Sequence, residues 1–363
     1  YKASAPPRDT DQIRQRQVWR PPVAGLAAAL TGLHRIGEAP MRQASNEGAW
    51  LMKIAVLGGG GAMGGLFGGY LARAGEDVTL IDVSKQAVEA INRDGLVIEE
   101  RDGAPSVIRV KASLRPQEVG PVDLVVNFVK CYDTEAAIGA AKPMLGPDTA
   151  ILSLQNGWGN ADRIAAIAGK SRVMIGLTYH SGTLAAPGRV KHPNAGMTLV
   201  GEIDGADSPR LAAAVAAFRK AGIETTPSAR IIEEVWKKLA LNVCTLPTAA
   251  LLRFDAHELE RHEGTRALMR SLLAEVVAVA KPQGIILDED ERWQAITGLL
   301  KRAIGARASM LQDADAHRRT EIDVVNGAIV EAGKRHSVPT PFNETMVWLV
   351  KSMQAKYLAT EKG

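Results

Sequence analysis

The residues best placed to do chemistry lie in the run Gly58 to Gly64, which follows the apolar segment MKIAVL (Met52 to Leu57) and leads into LFGGYLARAG. This pattern reads as strand, tight turn and helix. Such a turn can bring backbone N–H groups against a pyrophosphate, provided no side chain stands at the turn or at the strand–helix contact. Gly59, Gly61 and Gly64 keep the G-x-G-x-x-G spacing; Gly58 lengthens the turn by one residue and, with Gly60, offers a second frame. Asp82 ends the next strand-like run, DVTLID, 18 residues beyond Gly64, close to the spacing expected for an acid that receives a ribose 2′-hydroxyl. The expected cofactor site is therefore Gly59, Gly60, Gly61, Ala62, Met63, Gly64 and Asp82. An acid at position 82 repels a 2′-phosphate and favours NAD over NADP. Lys85 either reaches around to neutralise such a phosphate or is a solvated lysine at a helix start.

Three further groups of residues could act on a bound substrate. Lys130, in NFVKCYDTE, and Asn156, in SLQNGWG, fall just beyond the carboxyl ends of strand-like runs, where open α/β sheets bind ligands. A solvated loop lysine and a turn asparagine are the plainer alternatives. Lys238 and Asn242 are four residues apart in EEVWKKLALNVCTLPTAALL, so they share one helical face amid apolar neighbours. A lysine in such surroundings has a depressed pKa, which suits proton donation to a carbonyl oxygen. An amphipathic helix with Lys237 and Lys238 snorkelling is the other possibility. Ser309 precedes Glu321 by twelve residues in RASMLQDADAHRRTEIDVVNG. His180 and His192 form no recognised metal-ligand set and are expected to be structural, as are Met310 and Leu311. Cys131 and Cys244 show neither metal-ligand spacing nor a disulfide framework, which fits a reducing compartment.

These residues need a scaffold that the alternation of the chain describes. Apolar strands are expected at Asp123 to Phe128, Thr149 to Leu154 and Arg172 to Leu177, separated by segments that can be helical, which makes a parallel sheet with crossover helices. After Pro227 strand-like runs give way to helical periodicity from Ile231 onward. The expected domains are a dinucleotide-binding Rossmann-type α/β domain over 52–226 and a mostly α-helical catalytic domain over 227–363. Residues 1–51, rich in Arg, Pro, Ala and Gln, are expected to be a disordered extension, with a transit peptide as the alternative. They carry +3 of the formal net charge of +4, so the remaining 312 residues are nearly neutral. That argues against nucleic-acid binding, which needs a clustered basic face. No apolar run approaches the roughly 20 residues of a membrane span, so a soluble, cytoplasmic protein is expected.

Taken together, KIAVLG with its glycine turn, VKCYDTE, QNG, WKKLALN and SMLQD followed by TEID resemble the ketopantoate reductase (2-dehydropantoate 2-reductase) family from Met52 almost to the C-terminus. The resemblance implies a helical domain like that of 6-phosphogluconate dehydrogenase. It implies Lys238, not Lys237, as general acid, and Glu321 as the active-site carboxylate, with Asp323 structural. It further implies Asn156, Asn242 and Ser309 as substrate-binding residues, Lys130 and Asn156 near the cofactor, and NADPH as the usual cofactor. The activity implied is reduction of a 2-oxo acid, ketopantoate, to the 2-hydroxy acid pantoate, by a monomer or homodimer. The chain departs from the family where Leu246 precedes Pro247 and at Ala256, two positions where polar substrate contacts are expected. Arg253 in the same stretch either grips a carboxylate or lies on the surface. A relative acting on another hydroxy acid, and a non-catalytic dinucleotide-responsive binding protein, are the alternative functions.

Overall fold

Five short apolar runs form the centre of the molecule because each is buried on both faces, as strands of a parallel sheet covered by helices must be. The computed structural model describes residues 51–360; the expectation for residues 1–50 lies outside them. The first of these runs, β1 (Lys53–Leu57), passes through the glycine turn into α1 (Ala62–Arg73) and returns as β2 (Asp77–Ile81). Next come α2 (Lys85–Asp94), β3 (Leu96–Glu100), β4 (Ser106–Ile108) and β5 (Lys111–Ser113). Alternation then resumes with β6 (Val122–Asn127), α3 (Thr134–Ala141), β7 (Leu145–Ser153), α4 (Asn160–Ala168) and β8 (Val173–Thr178). Strands β9 (Ser181–Ala186), β10 (Arg189–Asn194) and β11 (Thr198–Glu202), helix α5 (Pro209–Lys220) and β12 (Thr225–Pro227) complete this half.

The main sheet has the order β12-β11-β8-β7-β6-β1-β2-β5. It is parallel except where β11 runs antiparallel to β8, so the all-parallel expectation needs correction at that edge. A second sheet, β4-β3-β10-β9, has no counterpart in the sequence reading. It packs on α1, where Val190 approaches Gly65 and Ile98 approaches Gly69 so closely that a Cβ at either glycine would crowd them. One apolar cluster, with Leu66, Phe67, Leu71 and Phe218, joins α1 and α5 to one face of the main sheet. Another, with Ile138 and Ile164, joins α3 and α4 to the opposite face.

From α6 (Ile231–Leu252) onward the chain is helical: α7 (Ala256–Arg261), α8 (Glu263–Ala280), α9 (Glu289–Arg302), α10 (Ser309–Asp315), α11 (Asn326–His336) and α12 (Pro341–Thr360). Helix α6 spans about 33 Å at 1.5 Å per residue and buries Trp236, Leu239, Ala240 and Val243 against Leu272, Leu273 and Val276 of α8. Pro247 lies inside α6 and has no N–H to offer the carbonyl of Val243. The buried Asn326 side chain donates to that carbonyl instead, at 3.2 Å. Leu246 packs among the apolar residues of this half, and Asp255 caps α7 by accepting from the Glu258 amide, with Ala256 as the first helical residue. No helix among the described residues is long and apolar enough to cross a membrane.

Candidate active site

At the glycine turn the backbone is as crowded as a dinucleotide site requires. Gly58 has φ +76°, open without strain only to glycine, and a Cβ on Gly64 would stand 2.1 Å from the carbonyl oxygen of Gly58. Gly61 caps α1 without any side-chain hydrogen bond, and the first turn holds no acid. The amides at this helix start thus face no competing side chain, which fits a pyrophosphate. Asp82 follows β2 and accepts from the amides of Gly60 at 2.8 Å and Ser84 at 2.9 Å. A Cβ on Gly60 would press on the Asp82 carboxylate at 2.8 Å, so the acid is fixed against the turn. Lys85 is exposed and pairs with Glu89 of its own helix at 3.6 Å.

Lys238 lies on the side of α6 that meets the carboxyl ends of β7 and β8. Its ammonium donates to Asn156 Oδ1 at 3.0 Å and to the carbonyl of Thr178 at 2.8 Å. The Tyr179 ring lies 5.9 Å away. Burial pushes the Lys238 pKa down to about 8, against an opposing pull from the negative charge of Glu321. Asn242, one turn along, lines the same cavity with Asn156, Gly157 and Leu177. Asn242 is 8% exposed, and its amide has no hydrogen-bond partner among the described residues. Asn156 is placed by its neighbours. A Cβ on Gly157 would clash with Val324 at 2.3 Å, and the Trp158 amide donates to the Val324 carbonyl at 2.8 Å, which seats this loop on the helical half. Lys237 points elsewhere and pairs with Glu234 at 2.7 Å.

Glu321 is held differently from a direct partner of Lys238. Its carboxylate accepts from the Cys131 amide at 3.1 Å and faces Lys130 Nζ at 3.4 Å. Lys130 also donates to Asp313 at 2.8 Å, and Asp313 in turn accepts from Arg318 at 3.0 Å. Burial disfavours the charge on Lys130, but Glu321 and Asp313 outweigh it and raise the lysine pKa. The sequence reading omitted Asp313, although it sits inside SMLQD, four residues after Ser309. It also omitted Thr178, whose part is played by a backbone carbonyl and leaves no side-chain signal, and Gln155, which donates to Val129 O and Thr134 Oγ1 and so braces the loop before Asn156. Ser309 begins α10, is exposed and makes no hydrogen bond to the other candidates. Met310 and Leu311 are buried in apolar clusters. Arg253 ends α6 at φ 63° and pairs with Asp315. Asp323 pairs with Lys351 at 2.7 Å and Arg319 at 3.4 Å.

The chain matches two family models, ketopantoate reductase PanE/ApbA over residues 54–205 and the C-terminal part of the same family over residues 230–354. It is 34% identical over 302 residues to a 2-dehydropantoate 2-reductase of Halobacterium salinarum, covering 82% of this chain and 98% of that one. Among solved structures, the PanE/ApbA family ketopantoate reductase from Ralstonia eutropha superposes with a TM-score of 0.78 at 33% identity, over 84% of this chain and 99% of that one. A D-mandelate dehydrogenase with NADH and anilino(oxo)acetate superposes with a TM-score of 0.79 at 28% identity, again over 84% and 99%. Two matched halves, in order and spanning most of the described residues, leave one conclusion: this chain belongs to the ketopantoate reductase family.

Proposed function

We propose that this chain reduces ketopantoate to pantoate, with a hydride from a nicotinamide dinucleotide and a proton from Lys238. Its family makes it an oxidoreductase acting on a CH–OH group. The observation that carries the proposal is the Lys238 ammonium, fixed by Asn156 and the Thr178 carbonyl beside a small cavity, with a pKa near 8. At neutral pH that ammonium holds its proton, yet releases it far more readily than a solvated lysine. It also stabilises the alkoxide that develops as the carbonyl is reduced. Asn242, with its free amide in the same cavity, is assigned to a substrate oxygen, and Ser309 to the substrate carboxylate. Glu321 acts on Lys238 through charge rather than contact. The bound nicotinamide supplies the hydride. The turn from Gly59 to Gly64 holds the pyrophosphate, and residues 52–226 form the cofactor domain that faces a catalytic domain over 227–363. A small 2-oxo acid is the proposed substrate beside that cofactor, in a cytoplasmic setting.

NADH is the proposed cofactor. The Asp82 carboxylate, held against Gly60, receives ribose hydroxyls and repels a 2′-phosphate, and Lys85 is turned toward Glu89 instead of Asp82. A second substrate reading, a larger branched or aryl 2-oxo acid, draws on Leu246 and on the likeness to D-mandelate dehydrogenase. One kinetic experiment separates these proposals: NADH and NADPH, each paired with ketopantoate and with a panel of branched and aryl 2-oxo acids. Ketopantoate with NADH should give the highest kcat/KM. A competitor acid turned over far faster would replace ketopantoate, and a preference for NADPH would overturn the role of Asp82. Lys238→Ala should lower kcat by about a hundredfold to ten-thousandfold while cofactor affinity persists; full activity in that variant would remove the general acid.

A further inference from the structure

A half-buried chain of hydrogen bonds runs from the second sheet to the shelf that holds Lys238, and no part of it belongs to the site described above. It begins at Glu100 on β3, whose carboxylate accepts from the Tyr70 hydroxyl at 2.6 Å and faces His192 Nδ1 at 2.7 Å. A carboxylate only accepts, so His192 Nδ1 carries a proton. Burial works against the charge on Glu100, but the hydrogen bonds from Tyr70 and His192 hold its carboxyl below the usual range. His192 Nε2 shares a hydrogen bond with His180 Nδ1, 3.0 Å away, with the two rings stacked 5.1 Å apart. Nε2 of His180 is left buried without a partner. An unsatisfied buried nitrogen is costly, and burial, with His192 alongside, lowers the His180 pKa to about 4. The ring is neutral, and packs edge-on against Phe67 of α1.

The far end of this chain is two residues from Thr178. The His180 amide donates to Thr178 Oγ1 at 3.1 Å, and Thr198 donates to the same oxygen at 3.0 Å. The carbonyl of that threonine is one of the two acceptors that fix the Lys238 ammonium. We propose that Glu100, Tyr70, His192 and His180 form a positioning device that locks the segment 178–180 in place, so that the Thr178 carbonyl aims Lys238 at the substrate. Its role rests on Lys238 as the proton donor. Charged groups around the chain are Arg73, stacked on Tyr70 at 4.7 Å, and Glu100 itself; around Lys238 the facing charge is Glu321.

His192→Phe tests the device, with His192→Gln as the conservative rescue because its amide can restore the bond to His180. In His192→Phe the loosened carbonyl stabilises the ammonium less. The alkaline limb of the kcat–pH profile should move to lower pH, and kcat should fall about tenfold through misplacement of the proton donor. The KM for the cofactor should stay within about twofold, since the glycine turn is untouched. His192→Gln should recover most of both losses. Should His192→Phe fail to fold, Glu100→Gln, at a side chain 34% exposed, decides the matter by the same two readouts. A normal kcat and an unmoved alkaline limb in a folded variant overturn the proposal, as does a glutamine variant no better than the phenylalanine one. Lys238→Ala separates the two levels: if that variant keeps its activity the proton donor itself is wrong, whereas if it is inactive and the His192 variants are normal, only the positioning device fails.

Discussion

The proposed proton donor is a single ammonium, held by two acceptors and influenced by one distant carboxylate. Burial pushes the Lys238 pKa down to about 8 by favouring the neutral form, and Glu321 opposes that shift through its negative charge. Removing the charge while keeping the shape, in Glu321→Gln, lets burial act with less opposition, so the folded-state pKa of Lys238 falls below 8. If Lys238 is the proton donor, as proposed, reduction needs it protonated, so the alkaline limb of kcat should shift to lower pH, and activity at pH 8 should drop more than activity at pH 6. A profile that stays put would mean that Glu321 serves Lys130 and the Cys131 amide alone. At this scale the sequence was informative where side chains act through their own spacing: the four-residue step from Lys238 to Asn242 put both on one cavity wall. It was silent where a backbone oxygen acts, as at Thr178. The contact of Lys130 with Asp313 was equally hidden, because the two are 183 residues apart and only the folded chain brings them to 2.8 Å.

At the scale of elements, α6 has to carry Lys238 at one end and survive a proline near the other. The carbonyl of Val243 loses its helical donor at Pro247 and takes the Asn326 amide in its place, and Asn326 also donates to Asn343 at 3.0 Å. Asn326→Ala should therefore leave two buried acceptors short of donors, costing about 2–6 kcal/mol at about 1–3 kcal/mol each. Denaturant unfolding of that variant is the check. Pro247→Ala supplies a new N–H to Val243, so the cost of Asn326→Ala should shrink by about 1 kcal/mol in its background; an equal cost in both backgrounds would sink the idea that the asparagine repairs the proline. The strand runs flanking the glycine turn were legible because burial on both faces leaves them continuously apolar. The second sheet was not. Strand β9 is largely exposed along SGTLAA, and β10 contains Pro193 and lone buried residues at Val190 and His192, so neither period emerges from the sequence. Their partners are also remote: β10 pairs with β3, about ninety residues earlier.

For the whole molecule, the decisive feature is how the sheet half and the helical half are fastened around the Lys238 cavity. Apolar contact does part of this, through Trp158 against Trp236 at 5.6 Å, but the polar fastening is concentrated at Lys130. That side chain is 37% exposed, whereas the carboxylates of Asp313 and Glu321 are only 6% and 10% exposed. Losing the cation strands two nearly buried acids, a change that costs about 3–5 kcal/mol when both partners are fully buried. Here Arg318 still reaches Asp313 at 3.0 Å and solvent screens the lysine end, so Lys130→Met should cost about 1–2 kcal/mol. Asp313→Asn removes one of the two acids, and with it part of the reason for the lysine. The double variant should thus be more stable than the sum of the two single losses predicts, by about 1 kcal/mol, as expected for residues in one ionic network. Measured by urea unfolding, strict additivity would show that Lys130 and Asp313 merely lie side by side and do not fasten the two halves as one network.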